Sequence, residues 1–414
     1  MARHTESPKS PWRIEPTLGW LAIVLAFSLP LYRPWVSLAT TLLILLWLFG
    51  GGVRRRAGLL RGSRLTYAVL LFIALSVVSL GWTSDLPAGL AYLPKLRYLL
   101  LIPIVASAVG PEDRRIALTT FELSAAAAAV LSIAVFAGVG SFGGAHPGNP
   151  SPTMAHLDFS LLLALAALLV LTRVLYRHMA LAERLLWSAT ALLLIVGLFV
   201  NIGRAGHLAF AGGLLVLLVH WSRERSPRVA AGGAAILMLA VALAAWSIPS
   251  LEQRIRETGD ELREVVVEHH YDNNLGSRLA AIEVAREIFR EHPLLGTGVG
   301  GNIPALRELL DTEFAEFKPV ISWYRHFHNQ YAQVATELGA VGLAALGWIF
   351  WELIRAPRRN REMDATALVL AAVFLLGFLG EPYLRKQITV VMFSLVAGLV
   401  LAEDLDATDG QTSL

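Results

Sequence analysis

Leu161-Leu162-Leu163-Ala164-Leu165-Ala166-Ala167-Leu168-Leu169-Val170-Leu171 lies inside an apolar run over 157–174. As a helix rising about 1.5 Å per residue, such a run comes close to the roughly 30 Å of hydrocarbon in a bilayer. Similar runs recur to either side, at 17–32, 35–52, 65–82, 97–110, 116–138, 185–202, 206–221, 229–248, 328–354, 365–381 and 388–402. A tight Leu31-Tyr32-Arg33-Pro34 turn separates the first two, and the run at 97–110 is short. The pattern predicts an all-α, polytopic membrane bundle of about twelve transmembrane helices with one large external helical loop. With 55% hydrophobic and 16% charged residues over 414 positions and a mean hydropathy of +0.57, a water-soluble globule is excluded.

Lys and Arg collect after the even-numbered runs, at Arg54-Arg55-Arg56 with Arg61 and Arg64, at Arg114-Arg115, at Arg173, Arg177 and Arg184, at Arg223, Arg225 and Arg228, and at Arg355, Arg358, Arg359 and Arg361. Positive charge favours the cytoplasmic side, so both termini are expected there and 249–327 outside. Arg3, Lys9 and Arg13 before the first run read as a cytoplasmic anchor rather than a cleavable signal peptide. The expected division is 1–248 for nine spans, 249–327 for the external loop with amphipathic helices, 328–402 for three spans and 403–414 for a cytoplasmic tail. The net charge of +3 reflects this topology. Dispersed over many loops, it gives no nucleic-acid-binding face.

Cysteine is absent, which excludes disulfides, thiolate catalysis and Cys-ligated metals. The sequence has no Walker-type phosphate loop, dinucleotide fingerprint or His-Glu-x-x-His helix. A reaction here therefore runs on an activated substrate rather than on nucleotide hydrolysis. In the loop, Leu251, Ile255, Leu262 and Val266 share one helical face, which Gly259 weakens. A second helix is expected from Ser277 as N-cap, through Leu279, Ile282, Ala285 and Phe289, to His292-Pro293. Gly296-Thr297-Gly298-Val299-Gly300-Gly301 must then be a loop, and a flexible return to the membrane outweighs a phosphate cradle as its reading.

His328-Asn329 opens the next apolar run and is followed, after nine residues, by Gly339-Ala340-Val341-Gly342. At about 100° per residue, Gly339 and Gly342 fall within roughly 40° of His328, with Ala332 and Ala335 between them. The expected result is a smooth helix face, open to a helix or lipid chain and topped by an imidazole able to move a proton near neutral pH. Arg278 is expected in the first turn of its helix, where the dipole favours an anion. It reads either as an anion-binding group or as a surface residue paired with Glu283 or Asp272. Arg204, in Asn201-Ile202-Gly203-Arg204-Ala205-Gly206 at the outer end of a span, reads as functional rather than interfacial, its glycines opening access to the backbone. Lys95, Arg97, Arg385 and Lys386 form external basic pairs suited to acceptor phosphates or to anionic headgroups. His326 is two residues from His328, too close to share its helical face, and could join it in a metal site only if the chain there is extended, with no carboxylate or further His placed to complete one. His269-His270, His146 and His156 read as polar loop residues.

The His-Asn-x9-Gly-x-x-Gly string, Arg204 in its Gly-Arg-Ala-Gly setting, Ser277-Arg278 opening a loop helix, and about twelve spans with a large loop before the His span together resemble the O-antigen ligase family. Its superfamily also holds O-antigen polymerases and protein O-oligosaccharyltransferases. The resemblance is architectural over most of the chain and motif-level between about 201 and 342. It implies inverting transfer of O-antigen from undecaprenyl diphosphate to the lipid A–core oligosaccharide, on the periplasmic face of the bacterial inner membrane and without metal, nucleotide or other cofactor. It also implies that His328 is the essential histidine and that Arg204 and Arg278 are the diphosphate-binding arginines. The implied partners are the undecaprenyl diphosphate-linked donor, the lipid A–core acceptor and membrane lipids. A lipid-linked sugar transporter is the reading from another class. No pair of matching broken spans supports it.

Overall fold

The computed structural model describes residues 14–223, 225–226, 228, 231–233, 235, 249–356, 358 and 360–412. The expected span at 229–248, apart from isolated positions, and the basic flank at Arg3, Lys9 and Arg13 lie outside them. The described chain is helical, with no β-strand and one isolated bridge between His146 and Asn149. Its helices are α1 (Ile14–Ser28), α2 (Arg33–Phe49), α3 (Val53–Leu59), α4 (Arg64–Val78), α5 (Leu86–Leu96), α6 (Leu101–Ala106), α7 (Pro111–Phe136), α8 (His156–Tyr176), α9 (Leu181–Val200), α10 (Arg204–Ser222), α11 (Pro249–Glu268), α12 (Asn274–Glu291), α13 (Asn302–Asp311), α14 (Lys318–Ile321), α15 (Gln330–Arg355), α16 (Arg361–Gly377) and α17 (Gln387–Thr412).

The chain is a multi-pass membrane protein, but the count of twelve is not reproduced. Eight segments among the described residues are long and apolar enough to cross a bilayer: Arg64–Gly81, Leu86–Ala106, α7, α8, α9, α10, α15 and Gln387–Asp406. A ninth arises if α2 and the segment after it count as one span, although they meet at 102°. That bend follows from Gly51 and Gly52, both at positive φ. The Arg56 guanidinium then donates to the carbonyls of Trp47 and Gly51 at the exposed end of α2. α1, with 15 residues, and α16, with 17, are short for a span. The run expected at 97–110 belongs to a longer segment, Leu86–Ala106, with Pro94 inside it and a 3-10 turn at Arg97–Leu100.

The decisive apolar run turns out to be the centre of the bundle. Every residue from 161 to 170 is 3% exposed or less, because α8 is enclosed by α9, α10 and α16. Small residues bring these helices together. A Cβ on Gly197 would stand 2.8 Å from that of Ala129, and one on Gly206 only 2.5 Å from the backbone of Ser160. The glycines beside Arg204 thus serve contact with α8 and do not open its backbone to a ligand.

The two ends of the bundle differ chemically. At one end, Arg114 pairs with Glu403 and Asp406, Arg173 with Glu122, Arg177 with Glu362 and Arg358 with Asp404. At the other, the N-termini of α8, α10, α15 and α17 gather beneath the helices of 249–327. Ala280, Val284, Ile288, Leu306, Leu310, Ile321 and Phe327 form a core there that is separate from the main one.

That layer is keyed into α15. Gly339 breaks the helix with φ 62° and ψ −158°, and the chain entering the glycine run takes the freed donors. Ala340 N–H reaches the Pro293 carbonyl at 2.8 Å and Val341 N–H the Leu294 carbonyl at 3.2 Å. In return, Thr297 and Gly298 donate to Thr336 and Glu337, while Gly300 N–H donates to Glu337 Oε1. The glycine run is therefore a buried wedge rather than a flexible turn. The continuous wheel expected from His328 to Gly342 does not exist, because α15 begins at Gln330 and bends at Gly339.

Candidate active site at the His328 end of the bundle

Asn329 caps α15, its side chain accepting from Ala332 N–H at 3.0 Å. The same few residues grip the turn between α16 and α17. Gln330 N–H donates to the Phe378 carbonyl at 2.8 Å, Asn329 Nδ2 to the Leu379 carbonyl at 3.3 Å, and Leu384 N–H to Gln330 Oε1 at 2.9 Å. This stapling sets Glu381 against His328, with Nδ1 and Oε1 2.6 Å apart. The Glu381 side chain is 1% exposed and that of His328 23%. Burial pushes the Glu381 carboxyl up, but the hydrogen bond from His328 and the charge of Lys386 outweigh it and lower it to about 2. An ionised carboxylate only accepts, so Nδ1 carries the proton and Nε2 is left as the basic nitrogen. Backbone strain accompanies the arrangement, since His328 has φ 21°.

Glu381 was not found by reading the sequence. It is 53 residues from its partner and closes an apolar run, where only the oddity of a carboxylate at a span's edge marks it. It also places a carboxylate beside His326 and His328, where the sequence offers none. His326 packs against His328 with ring centroids 4.3 Å apart, and burial lowers its imidazole to about 4. Tyr324 also meets His328, 4.8 Å away by centroids.

A cavity of about 780 Å³ adjoins this cluster, lined by His156, Arg204, Arg278, Leu262, Leu379 and Gly380 among others. Leu379 and Gly380 precede Glu381 directly, so one wall of the cavity belongs to the turn that holds His328. Arg204 is the first residue of α10, and its fork donates to both oxygens of Glu261 on α11 at 2.7 and 3.1 Å, with Glu257 at 3.7 Å. Arg278 sits elsewhere on its helix than expected. The N-cap is Asn273, whose side chain accepts from Gly276 N–H at 2.7 Å, so α12 starts earlier and Arg278 is in its second turn. The first-turn dipole conflict expected for Arg278 is therefore absent. Neither expected partner holds Arg278: Glu283 pairs with Arg286, and no carboxylate forms an ion pair with Arg278 among the described residues. The structure thus brings Arg204 and Arg278 to one cavity, beside His328 and Glu381.

The external basic pairs are placed differently. Arg385 bonds to Glu337 at 2.9 Å and stacks over Tyr92 at 4.1 Å. Lys386 lies 3.1 Å from Asp158 and 3.2 Å from Glu381. Both residues are thus held by internal carboxylates. Lys95 is exposed, and Arg97 stacks on Tyr98 at 4.8 Å. Gly339 forms no lipid groove, since a Cβ there would meet the Leu294 carbonyl at 2.3 Å, and Gly342 is buried.

Residues 189–347 match the O-antigen ligase family. The matched stretch runs from the middle of α9 through α10 and the helices of 249–327 into α15, less than half of the chain. It contains Arg204, Arg278, His328, Gly339 and Gly342, whereas Glu381 comes from beyond it. Comparison with curated proteins gives no match.

Proposed function

We propose that this chain is an inverting glycosyltransferase that moves O-antigen from undecaprenyl diphosphate to a sugar hydroxyl of lipid A–core on the periplasmic face of the bacterial inner membrane. The observation that carries the proposal is the His328–Glu381 pair, next to the Leu379–Gly380 wall of a cavity lined by Arg204 and Arg278, within and beside a stretch that matches the O-antigen ligase family. His328 Nε2 takes the proton of the acceptor hydroxyl as its oxygen bonds to the anomeric carbon. Glu381 fixes the ring orientation and stabilises the imidazolium that forms, as a buried acid does in hydrolytic triads. A base of this kind contributes about 10²–10⁴-fold. The bond from the anomeric carbon to the phosphate oxygen breaks, and its electron pair leaves with the diphosphate. Arg204 and Arg278 meet the developing charge. Attack opposite the leaving group inverts the configuration. The cavity between α10, α11 and α12 accommodates the headgroup while the lipid tail remains in the bilayer. The Arg-rich end of the bundle, opposite His328, supports a cytoplasmic assignment for that end and a periplasmic one for the site.

The reading is tested with purified chain, a lipid-linked glycan and three separate acceptors: lipid A–core, a second lipid-linked glycan and a peptide. Undecaprenyl diphosphate released together with glycosylated lipid A–core supports ligation. Release only with the second lipid-linked glycan makes the protein a polymerase, and release only with the peptide makes it a protein glycosyltransferase.

A further inference from the structure

The cluster around His328 has the donor set of a metal site. One ligand atom each from His326, His328 and Glu381 lies within 4.8 Å of the other two. A further fact bears on the same cluster. His326 Nδ1 is buried with no hydrogen-bond partner, whereas Glu381 Oε2 is held by Lys386 at 3.2 Å. Buried polar atoms are nearly always satisfied, so an orphaned imidazole nitrogen within a triad of ligating side chains marks a site built for a further participant.

We propose that His326, His328 and Glu381 bind a divalent transition metal of the zinc class, and that the bound metal switches transfer off by occupying His328. The inference rests on His328 being the base. Two imidazoles and one carboxylate suit Zn²⁺ and its neighbours, whereas Mg²⁺ and Ca²⁺ prefer all-oxygen shells. The geometry is within reach. Bonds of about 2.1 Å meeting at a tetrahedral metal place two donors about 3.4 Å apart, so the 2.6 Å contact between His328 and Glu381 opens by less than 1 Å. Lys386 is the charge that opposes the metal, and Asp158, 3.1 Å from its ammonium, keeps it paired when Glu381 turns. The partly exposed His328 leaves the fourth position to water. A metal on one nitrogen of a neutral imidazole leaves the proton on the other, so His328 has no nitrogen free to accept the hydroxyl proton.

The test uses chelator-treated, untagged chain in detergent with Zn²⁺ alone, and transfer assays on native and His326→Ala protein. The expected result is one tight Zn²⁺ per chain and transfer inhibited by Zn²⁺ and restored by chelator. His326→Ala should transfer without metal but require at least about tenfold more Zn²⁺ for inhibition. Equal Zn²⁺ sensitivity of the two proteins, or no stoichiometric binding by the native chain, overturns the proposal. If His326→Ala does not fold, Co²⁺ added to native protein decides instead. Strong visible bands of a tetrahedral site support the proposal, and weak octahedral bands contradict it. Failure of the base assignment reads out separately, as transfer retained by His328→Ala while that variant still loses Zn²⁺ binding.

Discussion

Arg204 gives both arms of its guanidinium to Glu261, at 2.7 and 3.1 Å, so the cation proposed for the donor's diphosphate is already held by a carboxylate from α11. Glu261 therefore competes with the donor, and donor entry requires α11 to yield its hold. With Arg204 38% exposed, such a pair is worth at most about 1 kcal/mol, or roughly a factor of five. Glu261→Gln is expected to lower the KM for the lipid-linked donor up to about fivefold. Titration of the donor at saturating acceptor measures this. A raised KM would show that Glu261 helps to hold the donor.

Arg278 lines the same cavity without an ion-pair partner among the described residues. Its removal should leave the fold intact and cost about 10²–10³-fold in kcat, the usual loss when one donor to developing anionic charge is taken away. Lys supplies charge without the planar fork, so Arg278→Lys should restore only part of the rate. Turnover rates and thermal unfolding of the two variants check this together. A large fall in Tm for Arg278→Ala would make its role structural.

Glu381 acts through His328 rather than on substrate. Glu381→Gln keeps an oxygen able to accept from Nδ1 but removes the charge that stabilises the imidazolium. It is expected to lower kcat by about tenfold or more while leaving the donor KM unchanged. Glu381→Asp should recover more of kcat than Glu381→Ala. Loss confined to KM in all three variants would contradict the positioning role.

Gly339 is where the helices of 249–327 are keyed into the bundle. Gly339→Ala meets both a φ of 62° and the Leu294 carbonyl at 2.3 Å, a strain of about 1–3 kcal/mol before any clash. Gly347→Ala, in the same helix with nothing within 4 Å, is the control. Tm in detergent should fall clearly for the first variant and hold or rise for the second. Equal values would mean that the break in α15 carries no stability.

The class of fold was legible because apolar runs such as 161–171 leave no soluble alternative. The number of spans was not, since a glycine turn can bend one run by 102° at Gly50–Gly52 and a proline can hide in another at Pro94. Arg204, Arg278 and His328 stood out as polar residues in settings that disfavour them, and they share one corner of the bundle. Their partners did not stand out. Glu261 and Glu381 are ordinary carboxylates in sequence, and only the tertiary fold brings them 57 and 53 residues back to Arg204 and His328. The helical wheel through Gly339 failed because it assumed an unbroken helix. In the fold, the missing Cβ admits the wedge at 293–301 rather than lipid.

The most direct test of the central assignment is complementation of a ligase-deficient Gram-negative strain by the native chain and by His328→Ala, at matched membrane levels. Lipopolysaccharide banding and the pool of lipid-linked glycan are read together. The expected result is a ladder with the native chain, and no ladder but accumulated lipid-linked polymer with His328→Ala. A normal ladder with His328→Ala would contradict the assignment of His328 as the base.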